Sequence, residues 1–139
     1  MSSNQTAIFI DAGYLSALMK IKFPEIRLDL AKFTEHLSQG SSLLRTYYYT
    51  QLPEIRTVES EGEVLRRVRR APWLVPLINN LKNVSRLKVR WGGERSVQCM
   101  RCKDITYRQK YIDVMLAIDL ITLSRDKSID RAILVAGDA

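Results

Sequence analysis

The chain has 139 residues, 46% of them hydrophobic, with 22 Lys and Arg against 15 Asp and Glu for a formal charge of +7. That length suffices for one packed domain, no apolar run is long enough to span a bilayer, and two cysteines do not make a disulfide framework. The start, MSSNQTAIFIDAGY, lacks the basic-then-apolar build of a secretory leader, so a soluble cytoplasmic protein is expected, and the excess of positive charge points to a polyanionic partner, nucleic acid first.

Residues 6–11 (TAIFID) are a short apolar, β-branched run ending on Asp11, the pattern of a buried strand. Ala12 and Gly13 let the backbone turn tightly after it. A short helix is expected over residues 14–20, before Pro24. Asp29 is placed to cap a helix over residues 30–38, with Leu30, Phe33 and Leu37 as its apolar stripe. His36, the only histidine, falls on the polar side of that stripe, which assigns it to the solvated surface rather than to catalysis. After a turn at residues 40–42, residues 43–50 (LLRTYYYT) are rich in β-formers and read as a second strand. Tyr47, Tyr48 and Tyr49 could stack on bases, but strand alternation, with alternate rings in a core, is the simpler use for them.

Residues 52–57 read as a loop containing Pro53, and residues 59–80 as helix broken into pieces by Pro72 and Pro76. Arg66, Arg67, Arg69 and Arg70 form a tight basic cluster there. It is either a solvated helix face or a set of phosphate contacts, which position a nucleic acid without reading its sequence. Residues 86–91 (RLKVRW) alternate apolar and basic, a third strand with one solvated face. Gly92-Gly93 is a turn signal, after which residues 94–98 would return as a hairpin strand. Cys99 and Cys102 form a lone CxxC. Structural zinc takes four ligands and no second pair exists, so a complete site within one chain is not expected, and Cys99 and Cys102 are at most a degenerate knuckle or a zinc half-site shared between two chains of a homodimer. Thioredoxin-type redox use would need a strand–helix junction.

Residues 109–123 (QKYIDVMLAIDLITL) are nearly all apolar. A helix that is apolar almost all round is buried, and this one is expected to run to about residue 124. Asp113 and Asp119 interrupt it, and a carboxylate in a buried element is costly unless a cation or donors meet it. Asp113 comes at the helix start, just after Lys110. There the macrodipole and free N–H groups stabilise an acid; a metal ion is the other explanation. Residues 125–130 are a charged loop, and residues 131–137 (RAILVAG) a second fully apolar strand, followed by Asp138. Apolar strands alternating with helices predict an α/β fold with a mainly parallel central sheet covered on both faces.

Such sheets bind ligands at the carboxyl ends of their strands. Asp11 and Asp138 both sit at strand ends, and Asp113 can complete a triangle if those strands are neighbours. Three like charges repel, and a divalent cation removes the repulsion. Hard oxygen ligands suit Mg2+ or Mn2+, and such an ion can activate water for in-line attack on a phosphodiester. Rival α/β chemistries lack their motifs: there is no GxGxxG, no GxxxxGK[ST] and no GxSxG. One surface histidine gives no support to a histidine-based triad.

IFIDAGY (residues 8–14), QKYIDVMLAIDL (109–120) and ILVAGDA (133–139) resemble, in order and spacing, the three motifs of NYN domains, the LabA-like branch of the PIN-like ribonucleases. The resemblance spans essentially the whole chain. It implies one NYN/PIN-like domain over residues 1–139, a PIN-like Rossmannoid three-layer sandwich, and a magnesium-dependent site that cleaves RNA. On the family pattern Asp11, Asp113 and Asp138 map onto the catalytic metal-site carboxylates. Asp119 matches a frequent family aspartate and takes a supporting role. Tyr14 stands where the family often has Asn, and Tyr111 where it often has Gly. The family's Gly-Asp-x-Asp-Phe is here Gly-Asp-Ala, so the domain reads as lacking its C-terminal helix and strand. The function expected is a metal-dependent ribonuclease, with Arg66, Arg67, Arg69, Arg70, Arg108 and Lys110 as phosphate contacts. The alternative is a catalytically weak or inactive RNA-binding or regulatory module of the same fold.

Overall fold

The structure is a computed structural model, and it describes residues 4–51, 74–98, 100–103, 105–110 and 112–137. Everything is laid against β1 (Gln5–Asp11), in which every residue after Gln5 is buried. It pairs in parallel with β2 (Ser42–Gln51) on one side and β5 (Arg131–Val135) on the other. In turn β2 pairs in parallel with the first half of β3 (Leu87–Gln98), and β4 (Ile105–Lys110) pairs antiparallel with its second half. The order is β4-β3-β2-β1-β5. The predicted α/β fold with a mainly parallel sheet is the one found.

A run such as Ala7-Ile8-Phe9-Ile10 needs cover on both faces, because successive side chains point opposite ways. Ala7 and Phe9 meet Ile112 and Leu116 of a C-terminal helix, α4 (Ile112–Arg125). Ile8 and Ile10 meet Leu15 of α1 (Ala12–Lys22), with Phe33 and Leu37 of α2 (Leu30–Leu37) packed around them. The β2 tyrosines divide in the same way. Tyr47 stacks on Phe9 with ring centroids 5.4 Å apart, Tyr49 is fully buried on the α4 side, and Tyr48 lies on the α1–α2 side. Full burial of side chains such as Phe9 and Ile10 stabilises the fold by about 1.5–3 kcal/mol each.

The caps follow the sequence. Asp29 accepts from the Lys32 N–H at 3.2 Å and opens α2, as expected. Asp11 is itself the cap of α1, accepting from the Tyr14 N–H at 3.2 Å, so that helix starts at Ala12, two residues earlier than its pattern suggested.

Four expectations are corrected. Pro76 does not break its helix: it lies in the first turn of α3 (Leu74–Lys82), where an N–H has no intrahelical acceptor to lose. Pro72, the 52–57 loop and the rest of the expected helix up to residue 73 lie outside the described residues. Gly92-Gly93 is not a turn. Strand β3 runs straight through it, and the glycines mark a change of partner: Gly92 pairs with Gln51 of β2, and Gly93 with Lys110 of β4. A strand position without a Cβ accommodates such a change of partner. The returning hairpin strand is therefore β4 rather than residues 94–98, and Gln109 and Lys110 end it instead of opening the next helix. Last, α4 is not buried all round: Val114, Ile118 and Ile121 are 55%, 57% and 65% exposed. A single helix laid on a sheet buries only the stripe facing it, here Ile112 and Leu116 with Met115, Leu120 and Leu123 partly covered.

Helix α4 precedes β5, and β5 is parallel to β1. The helix thus starts at the carboxyl edge of the sheet and returns to the amino edge. At that far end the Asp130 N–H donates to Gln5 O at 2.8 Å, and the Gln5 N–H donates to Asp130 Oδ2 at 2.8 Å. No helix among the described residues is long and apolar enough to cross a membrane.

Candidate active site

The carboxyl edge of the sheet collects the acids. Asp11 ends β1 and is 8% exposed. The period of two carries it to the α4 side, after Ala7 and Phe9. Its Oδ1 takes the Tyr14 N–H. Asp113 stands in the first turn of α4, exposed, next to Ile112, which is 2% exposed and anchors that turn against Phe9 and Tyr49. A carboxylate at a helix start is stabilised by the dipole. Asp138 lies outside the described residues. The residue before it, Gly137, approaches the same corner: a Cβ placed there would stand 2.8 Å from Cε2 of Tyr14. The ring at the start of α1 thus rests on the segment leaving β5.

The donor chemistry suits a hard cation. Magnesium is commonly held by one or two carboxylates, with waters and substrate phosphates filling the remaining positions. Asp11 and Asp113 offer such oxygens at one edge and on one side of the sheet. Among the described residues no group of three or more His, Cys, Asp and Glu lies close enough to hold a metal, and the third predicted corner, Asp138, is not one of them. Cys102 is an exposed free thiol in the β3–β4 connection, and Cys99 lies outside the described residues.

Asp119 has a different task from its predicted neighbours. From the middle of α4 it accepts from the Tyr49 hydroxyl at 2.8 Å and forms an ion pair with Arg90 of β3, Nε to Oδ2 at 3.1 Å and Nη2 to Oδ1 at 3.4 Å. It stays half-buried because a buried hydroxyl and a guanidinium share its charge. Burial first, then the bond to Asp119, push the Tyr49 phenol far above its ordinary value of 10.0.

The predicted phosphate contacts Arg66, Arg67, Arg69 and Arg70 lie outside the described residues. Arg108 and Lys110 are on β4, where Arg108 pairs with Arg95 and Lys110 with Gly93. Two basic residues that the sequence reading left unassigned, Lys88 and Arg90, occupy successive same-side positions on β3, opposite Tyr47 and Tyr49. Their signal was present in the alternation of residues 86–91, whose basic positions share one face.

A family model described as NYN domain matches residues 5–139. No curated protein and no solved structure matches the chain.

Proposed function

From the premise that this chain belongs to the NYN domain family, we propose that it is a metal-dependent ribonuclease. NYN domains are part of the PIN-like nuclease superfamily, whose members are generally ribonucleases using divalent metal ions. The finer reading is that Asp11, Asp113 and Asp138 hold Mg2+ or Mn2+ and that RNA is cleaved by hydrolysis. One observation carries it: Asp11 and Asp113 stand on the same edge and the same side of the parallel sheet, where ligands of such sheets bind.

When bound, the ion would supply activation of the attacking water and stabilisation of the leaving oxygen. The chain's own residues do the rest. The Tyr14 N–H holds Oδ1 of Asp11 and so fixes the rotation of that carboxylate. Ile112 pins the first turn of α4 and with it the position of Asp113. The positive surface draws the RNA backbone in, a contribution that weakens as salt rises.

The test is cleavage of a labelled single-stranded RNA with magnesium, with manganese and with EDTA, for the wild-type chain and for Asp113→Asn. Cleavage that needs the metal and disappears in the variant supports the proposal. Equal cleavage by both refutes the assignment of Asp113. A second reading, an RNA-binding module that does not cleave, is favoured by the Tyr14 ring lying against Gly137 beside Asp11. It predicts salt-sensitive RNA binding in EDTA and no turnover with either metal.

A further inference from the structure

We propose that the pocket between β3 and α4 is a subsite for one backbone phosphodiester of a single RNA strand. This rests on the reading of RNA as the substrate. The pocket has a volume of about 170 Å³ and is lined by Tyr47, Lys88, Arg90, Asp119, Thr122 and Leu123. Its formal charge is +1, from two cations and one carboxylate. That sum matches the single negative charge of an internal phosphodiester rather than the near-double charge of a terminal phosphate.

Each wall contributes. Lys88 is exposed and forms no ion pair with the described residues. Arg90 keeps 36% of its side chain accessible while Asp119 grips Nε and Nη2. A guanidinium has five N–H donors in a rigid fork, so the remaining ones stay available and their direction is already fixed. Asp119 is thus a positioning residue, acting through Arg90. Thr122 brings a hydroxyl from the next turn of α4. Tyr47 has one face stacked on Phe9 with an interplanar angle of 12°, and the two cations beside it give the pocket the charge that a phosphate needs.

The register sets the pocket apart from the acids. Asp11 pairs with Tyr49, and Tyr49 pairs with Arg90, two strand spacings or on the order of 10 Å away, with the fully buried Tyr49 between them. Lys88, Thr122 and Leu123 carry the pocket further toward the amino edge, so its phosphate is one remote from the carboxyl-edge acids.

The experiment uses two probes in EDTA. In 1H–15N spectra, the dinucleoside monophosphate UpU is expected to shift the amides of Lys88, Arg90 and Thr122, while uridine, which has no phosphate, leaves them in place. Lys88→Gln is expected to abolish the UpU shifts. Uridine alone moving these amides, or no movement with UpU, overturns the proposal. In fluorescence anisotropy, oligouridylate binding to Lys88→Gln is expected to fall several-fold, with the slope of log K against log salt reduced by about 0.7. Lys20→Gln, on α1 across the sheet, keeps the wild-type slope; an unchanged slope in Lys88→Gln overturns the subsite. Cleavage by the wild type separates the two readings. If UpU still occupies the pocket but no RNA is cut, the nuclease reading falls and the subsite stands; if RNA is cut while the pocket ignores UpU, the subsite falls alone.

Discussion

The hydroxyl of Tyr49 donates to Oδ2 of Asp119 at 2.8 Å, joining the strand beside β1 to the middle of the helix above it. The same oxygen takes Nε of Arg90 at 3.1 Å, so one carboxylate ties together β2, β3 and α4. A hydrogen bond to a charged group is worth about 1.5–3 kcal/mol. Tyr49→Phe keeps the buried ring and removes only that bond. It is expected to lower unfolding stability by about that amount in urea titrations, with Asp119→Ala costing more because Arg90 also loses its partner. A Tyr49→Phe chain as stable as the wild type would show that the bond contributes nothing net.

Burial of two phenols, with that bond in addition for one of them, gives the fold an alkaline limit. Both Tyr48 and Tyr49 have phenols raised above 10.0, by burial in each case and by Asp119 in addition for Tyr49. A folded-state value above the unfolded one means that the unfolded chain releases its proton first. Stability is then complete below pH 10 and falls as pH rises beyond it, by up to about 1.4 kcal/mol per unit for each such tyrosine. Thermal midpoints measured from pH 8 to pH 11.5 should decline from about pH 10, and Tyr49→Phe should make the decline shallower.

Asp11 serves α1 as a cap and the edge of the sheet as a candidate ligand, and two substitutions separate these roles. Asn caps about as well as Asp, whereas Ala loses about 1 kcal/mol. Asp11→Asn should therefore unfold within about 0.5 kcal/mol of the wild type yet lose RNA cleavage, while Asp11→Ala loses both. Cleavage retained by Asp11→Asn would remove Asp11 from the site.

Asp113 is exposed and its structural value is that of an acid at a helix start, about 0.3–1 kcal/mol. Asp113→Asn should leave the thermal midpoint nearly unchanged and weaken the binding of Mn2+, measured by calorimetry or by relaxation of water protons. Equal Mn2+ binding by the variant would count against a metal at this edge.

Gly137 and Tyr14 form a steric pair. Gly137→Ala puts a methyl group 2.8 Å from the Tyr14 ring, so the outer end of that half-buried side chain must swing aside, at a cost of at most about 1 kcal/mol outside a packed core. Tyr14→Ala should restore the loss, giving a clear coupling in a double-mutant cycle. Additive effects of the two substitutions would mean that the ring does not rest there.

The parts of the fold that were legible in the sequence are those where one short-range signal dominates. TAIFID reads as a buried strand and is one, and Asp29 ahead of Leu30, Phe33 and Leu37 caps an amphipathic helix; RAILV is a strand too, but at the edge of the sheet it stays largely exposed, Leu134 by 53%, where its apolar run led one to expect cover on both faces. The misreadings came where tertiary partners decide. Gly92-Gly93 has turn chemistry, but β2 on one side and β4 on the other hold it extended. Val114, Ile118 and Ile121 are as apolar as their buried neighbours, and only the placement of α4 against the sheet distinguishes them. For the candidate site, the sequence singles out Asp11 and Asp113 by their position at element ends, and the structure has them there, Asp11 closing β1 and Asp113 in the first turn of α4. The importance of Asp119 depends on Tyr49 and Arg90, distant in sequence, and no local pattern announces that meeting.

The pairing of β1 with β5 also determines when this protein becomes a protein. Strand β1 leaves the ribosome ahead of its partners, yet one of its edges stays open, and the face carrying Ala7 and Phe9 stays bare, until α4 and β5 follow. The contacts between Gln5 and Asp130 span 125 residues of chain. Contacts of such high order are slow to form, because the loop between them must be closed before they give anything back. A nascent chain that stops short of α4 carries Asp11 without the helix that bears Asp113. Whatever chemistry this edge performs therefore waits until α4 has been made and has docked on the sheet.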